Sequence, residues 1–133
     1  MYTINYDNGD KYTFSSTVSG STINKVSQIA DINGNNLNFT YSGGLLSQVT
    51  DTLGRNITYS YYDHNRLKDV TDFNGHKVTL AYFTGSTASG SIYDLQNITI
   101  NNGTGAVKTI NFEYSTGGTD TTNHAITRLI DSK

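Results

Sequence analysis

The sequence predicts an all-β fold in which tandem antiparallel β-hairpins form one continuous, twisted and curling sheet, β-solenoid-like because each copy pairs with the next. Three observations predict it. The string VTDTLGRNITYSY (49–61) returns as VTDFNGHKVTLAY (70–82) and has already occurred as IADINGNNLNFTY (29–41), so the chain is an array whose central glycines lie 20 and 21 residues apart. After each glycine, apolar and polar residues alternate with the period of a strand that turns one face inward. Proline is absent and no capped helical periodicity occurs, so nothing bars a strand from its neighbour's ladder.

With the glycine as position 0, a copy has apolar residues at −8 and −5, Asp at −3, and apolar residues at +3, +5 and +7. The first copy, about 1–16, is degenerate: Met1, Ile4, Gly9, Tyr12 and Phe14 fit, and Tyr6 stands in the Asp place. The second, 26–41, reads Val26, Ile29, Asp31, Gly34, Leu37, Phe39 and Tyr41. The third, 46–61, reads Leu46, Val49, Asp51, Gly54, Ile57, Tyr59 and Tyr61. The fourth, 67–82, reads Leu67, Val70, Asp72, Gly75, Val78, Leu80 and Tyr82. A fifth, 95–114, runs from Leu95 and Ile98 to Ile110, Phe112 and Tyr114 with a lengthened turn, and half a copy closes at 126–133 with Ile126, Leu129 and Asp131. The chain is thus read as one domain, 1–133, of about five and a half hairpins and ten or eleven strands.

Asp followed three residues later by Gly makes a bend: the carboxylate accepts from nearby backbone N–H groups and Gly takes a positive φ. Asp31/Gly34, Asp51/Gly54 and Asp72/Gly75 are therefore the repeat-defining turns. Positions −8 and −5 differ by an odd number, so a regular strand would point them to opposite faces; a bulge between them restores the parity. The links SSTVSGSTINK (15–25), FTGSTASGSIYD (83–94) and STGGTDTTNHA (115–125) read as elongated hairpin tips at alternate edges.

Nine Lys and Arg against eleven Asp and Glu give a formal charge of −2, without a basic cluster to track a phosphate backbone, so nucleic acid is not an expected partner. Without cysteine there are no disulfides and no thiolate chemistry. No stretch reaches the length of a membrane helix, and no signal peptide opens the chain.

The stretch YYDHNRLKDVTDFNG (61–75) resembles the YD-repeat, or Rhs, pattern Y-D-x-x-G-R-L followed by V-T-D-x-x-G, with Tyr61, Arg66, Leu67, Val70, Thr71, Asp72 and Gly75 in place. Tyr62 takes the Asp site and Asn65 the Gly site, where Asn tolerates the left-handed region. The resemblance implies a large secreted or surface protein, extracellular and bacterial, whose hairpins spiral into a hollow shell around a toxin; in animal teneurins a similar shell serves adhesion. The expected function is a non-enzymatic structural segment of such a shell, its partners being neighbouring repeats of a longer chain or further copies met through sheet edges.

The alternative is a carbohydrate-binding or adhesive module that uses exposed tyrosines, with Tyr62, Tyr93 and Tyr6 as ligand contacts and glycans as partner. The repeat-core residues Phe39, Tyr41, Tyr59, Tyr61, Leu80, Tyr82, Phe112 and Tyr114 are expected to pack the inward face. Asp31, Asp51, Asp72 and Asp131 could form a calcium ladder, but one Asp per turn fits capping better. His64, His76 and His124 lack metal-ligand spacing and read as solvated loop residues. No cofactor, metal or catalytic residue is expected, since repetition builds a surface where catalysis needs a unique constellation.

Overall fold

The computed structural model describes residues 1–15, 24–105, 107–116 and 124–132; most of the first and third long links lies outside the described residues. Its strands are β1 (Tyr2–Asn5), β2 (Lys11–Phe14), β3 (Val26–Ala30), β4 (Asn36–Ser42), β5 (Leu45–Asp51), β6 (Asn56–Tyr61), β7 (Leu67–Thr71), β8 (Lys77–Tyr82), β9 (Leu95–Asn101), β10 (Val107–Tyr114) and β11 (Ile126–Asp131). The fold is all-β, with the strands ordered in the sheet as in the chain. A single 3₁₀ turn, Asp63–Asn65, is the one helical element among the described residues.

The chain divides into two compact units. Unit 1 is Met1–Arg66 with Thr71–Phe73, and unit 2 is Leu67–Val70 with Asn74–Lys133. In unit 1, β2 to β6 pair antiparallel in succession. The cross-strand row Tyr12, Ile29, Leu37 and the row Phe39, Val49, Ile57 give one face its apolar character. The opposite face carries the uncharged row Thr13, Gln28, Asn38, Thr50, Asn56. There the side chains bond one another: Gln28 Nε2 donates to Asn38 Oδ1 at 2.9 Å and Thr50 Oγ1 to Asn56 Oδ1 at 2.7 Å. In unit 2, Leu80, Ile98 and Ile110 make the apolar row and Thr79, Thr99 and Thr109 the polar one.

The inferred bulge is present between −8 and −5 in four copies. The ladder skips Ser27, Ser47, Gln96 and Thr127, each next to the −8 residue. At two of them the extra residue's hydroxyl satisfies the strand opposite: Ser27 Oγ donates to the Thr13 carbonyl and Ser47 Oγ to the Thr40 carbonyl, both at 3.1 Å.

In four copies the position two residues before −8 is left-handed: Gly44 (φ 81), Asn65 (61), Tyr93 (78) and His124 (64). Asn65 was expected there. Tyr93 and His124 were not, because a bulky side chain resists positive φ.

A second regularity joins the two strands of a copy. The +7 tyrosine hydroxyl donates to the −8 carbonyl fifteen residues earlier: Tyr41 to Val26 at 2.8 Å, Tyr61 to Leu46 at 2.9 Å and Tyr82 to Leu67 at 2.9 Å. Burial pushes the hydroxyl pKa of Tyr41 and of Tyr61 above 10.0. A raised folded pKa contributes stability that is complete below 10.0 and lost as pH rises through the folded value. Tyr61→Phe is expected to lower stability by about 1 kcal/mol, one net hydrogen bond. It should also make the alkaline loss above 10.0 shallower, as pH-dependent denaturant unfolding would show.

The core of the described residues is not in the sheet. Phe83, 7% exposed, is the buried large apolar side chain among them, while Leu37 and Ile57 on the apolar face stay 41% and 38% exposed. A single sheet layer cannot cover its own face. Phe83 opens the link 83–94, which is more than the elongated tip the sequence suggested. It folds back on its own unit: Phe83 N–H donates to the Asp94 carbonyl at 2.9 Å, Tyr93 N–H to the Phe83 carbonyl at 2.9 Å, and Tyr114 N–H to the Ser89 carbonyl at 2.8 Å. The Phe83 and Tyr114 rings meet edge to face at 6.5 Å. Packing of this aromatic pair gives the link its fixed course.

Candidate functional site: the turn rim and the apolar face

The Asp–Gly turns follow the odd-numbered strands and so share one end of the hairpins. Asp31 Oδ1 accepts the N–H of Asn33 at 2.9 Å and of Asn35 at 2.8 Å, and its Oδ2 accepts Asn35 Nδ2 at 2.7 Å. Asp51 repeats this with Leu53 N–H and Arg55 N–H, both at 2.9 Å, and with Arg55 Nε at 2.6 Å. Gly34, Gly54 and Gly75 have φ of 87, 79 and 84, which their lack of a Cβ permits. The first copy makes the same bend without an Asp, through Tyr6 N–H to the Asp10 carbonyl at 2.9 Å. These carboxylates are therefore caps, and their oxygens are already engaged by N–H donors. Among the described residues no group of three His, Asp or Glu is placed to hold a metal ion.

The Asn35 side chain holds the Asp31 carboxyl below 3.8, helped by the N–H groups of Asn35 and Asn33. The Arg55 side chain does the same for Asp51. A lowered folded pKa contributes stability present above 3.8 and lost as pH falls through the folded value. Replacing both residues by Asn is expected to lower stability at neutral pH, where the ionised carboxylates contribute, and to change it little below the folded value, so that the acid limb of a stability-against-pH curve becomes flatter.

The repeat-core residues Phe39, Tyr41, Tyr59, Tyr61, Leu80, Tyr82, Phe112 and Tyr114 are all half-buried. Their tyrosines had a polar task that the alternation did not show. The signal was present: four successive copies carry Tyr at +7 where any apolar residue would satisfy the period. Tyr62, Tyr93 and Tyr6 are exposed at 37%, 47% and 53%. Within unit 1, Tyr6 and Tyr62 do not converge. Tyr6 lies in the first Asp–Gly-type bend, edge-on to Tyr12 at 5.2 Å, whereas Tyr62 lies at the other end of the strands, before the 3₁₀ turn. Tyr93 belongs to unit 2 and holds the left-handed position there. His124 departs from a merely solvated residue, since its Nδ1 lies 2.7 Å from Asp94 Oδ1.

Two shallow clefts open between the turns of unit 1. One, of about 430 Å³, has Ile29, Leu37 and Leu53 as apolar lining and Asp31, Asn35, Asp51 and Arg55 at its rim. The other, of about 230 Å³, lies over Leu37, Val49 and Ile57 beside Phe73. No helix of the described residues is long and apolar enough to cross a membrane, which says nothing of strands. No model of a known protein family matches the chain, and no curated protein matches it.

Proposed function

We propose that the chain is a non-enzymatic structural segment of a secreted or surface YD-repeat protein, part of a β-sheet shell that encloses a toxin or presents a surface. The observation that carries this reading is the incompletely covered apolar face: the copies repeat a hairpin, four of them the bulge and three the tyrosine bond, yet Leu37 and Ile57 on that face stay 41% and 38% exposed and their row neighbours are only half-buried. Such a face is completed by further copies along the array. The polar groups that recur serve the backbone. Asp caps turns and Tyr bonds carbonyls, so what is repeated builds a wall and leaves no reacting constellation.

The adhesive alternative requires exposed aromatics gathered on one patch, and Tyr6 and Tyr62 lie at opposite ends of the strands. A glycan array probed with the purified chain separates the two readings. The wall reading expects no sugar class to be retained; retention of a defined class that is lost in Tyr62→Ala or Tyr93→Ala would replace it with the adhesive one.

A further inference from the structure

Four asparagines of the chain stand immediately before a glycine: Asn8, Asn33, Asn74 and Asn102. The third copy makes the same Asp-capped turn with Leu53 in that place. An Asn–Gly pair carries a reaction of its own. The glycine nitrogen, with no Cβ beside it to block the approach, attacks the asparagine Cγ. A bond forms between that nitrogen and Cγ, the Cγ–Nδ2 bond breaks, and the amide leaves as ammonia, taking up the glycine N–H proton. Water then opens one of the two C–N bonds of the cyclic imide. The product is aspartate or, where the main chain is rerouted through the side-chain carbon, isoaspartate.

The folded turns do not offer the four sites equally, because a hydrogen bond to the amide or to the glycine N–H must break before the two can meet. Asn8 is held at both ends: Nδ2 donates to Asp10 Oδ2 at 2.9 Å and Oδ1 accepts the Asp10 N–H at 3.1 Å, while Gly9 N–H donates to the Tyr6 carbonyl at 2.9 Å. Ile32 covers that glycine, its Cβ and Cγ1 standing 3.0 Å from where a Cβ on Gly9 would be. Asn102 Oδ1 accepts the N–H of Thr104 at 3.2 Å and its hydroxyl at 2.7 Å, and Gly103 N–H donates to Asn101 Oδ1 at 2.9 Å. Asn74 is engaged as well. Asn33 differs. Its side chain contributes least among the groups that hold the Asp31 carboxyl low. Gly34 N–H reaches the Asp31 carbonyl at 3.3 Å, against 2.9 Å for Gly9 and 3.0 Å for Gly54 in the corresponding bonds. Beyond its chain neighbours, no atom of the described residues lies within 4 Å of the Cβ position of Gly34, and both residues of the pair are exposed to water.

We propose that Asn33 is a site of spontaneous deamidation, the first of the four to react, so that the turn between β3 and β4 ages into a form with a second carboxylate beside Asp31. The product works against the cap. Asp31 Oδ1 holds the N–H groups of Asn33 and Asn35, and isoaspartate inserts a methylene into the main chain between them. The new charge also opposes that of Asp31. This goes beyond the wall reading and is independent of it, since it concerns one turn and no partner.

Peptide mapping by mass spectrometry tests it, on the full chain incubated at mildly alkaline pH in water labelled with heavy oxygen. Asn33 should convert roughly fivefold or more faster than Asn8 and Asn102, the factor of one net hydrogen bond, and should take up oxygen from the solvent. In denaturant the four sites should react at similar rates, because the fold is what separates them. Asn33→Leu copies the turn of the third copy, and the incubated variant should keep the unfolding midpoint that the incubated wild type loses. Conversion of any other asparagine ahead of Asn33, an intact Asn33 where the unfolded chain reacts, or the same ranking in folded and unfolded chain would each overturn the proposal. If the Leu variant misfolds by circular dichroism, the wild-type map decides alone.

Discussion

Replacing Phe83 by alanine is expected to destabilise unit 2 by about 3 kcal/mol, the low end for a buried phenylalanine. No other single substitution in the described residues removes as much packing. The Phe83 ring is the large buried apolar group, it meets Tyr114 edge to face, and the link that carries it holds the N–H of Tyr114 through the Ser89 carbonyl. Loss of the ring frees the link. Denaturant unfolding followed by tyrosine fluorescence would measure the cost, and hydrogen exchange at Tyr93 and Tyr114 should rise in the variant. A loss under about 1 kcal/mol, the ordinary effect of a surface change, would mean that the link is not what holds this part of the sheet.

The second large effect is the converse, too much volume at the same place. A Cβ on Gly90 would stand 2.7 and 2.9 Å from two atoms of the Phe83 ring and closer still to a third. Gly90 is itself buried, and its carbonyl accepts the Thr87 N–H at 2.7 Å, so the backbone has little freedom to retreat. Gly90→Ala should therefore cost about 2 kcal/mol, within the usual range for overpacking. The two substitutions are coupled. Once Phe83 is alanine the added methyl meets empty space, so Gly90→Ala should be nearly neutral in that background, and a double-mutant cycle would show an interaction of similar size to the single effect. Additive costs would place the Gly90 requirement in its backbone instead of in the ring above it.

Much of the sheet was legible because a copy is defined by local rules. The Asp-to-Gly spacing forces a bend, the period of two sets the faces, and the odd interval from −8 to −5 demanded the bulges found at Ser27, Ser47, Gln96 and Thr127. Asn65 was placed correctly because its side chain tolerates positive φ. What stayed hidden depends on distances that sequence does not carry. Phe83 falls one residue beyond the template, so nothing in the periodicity marked it as the buried residue. Tyr93 appeared as an exposed aromatic suited to a ligand, yet it holds the left-handed position before a −8 residue, where a glycine would be at ease.

The candidate site was legible in its capping residues and not in its shape. Asp31 and Asp51 do what their type and spacing imply. Leu53 stands where the neighbouring turns have Asn33 and Asn74, and only the folded chain sets it in one cleft with Leu37 of the preceding copy. A departure from a repeat is visible in the sequence once the repeat is aligned on its turns. Its consequence is visible only when the side chains are in place.

The central claim is that each copy is stabilised by the copy beside it and that the apolar face is completed by extension of the array. Thermal unfolding of a lengthened chain tests this most directly, with the final half copy completed and two further copies of the 46–61 type added after Lys133. Nearest-neighbour pairing predicts a higher melting temperature than that of the 133-residue chain, with one cooperative transition, because each added copy brings one more interface. An unchanged transition for residues 1–133, with the added copies melting separately or failing to fold, would show that the copies do not support one another and would contradict the reading of this chain as a piece of wall.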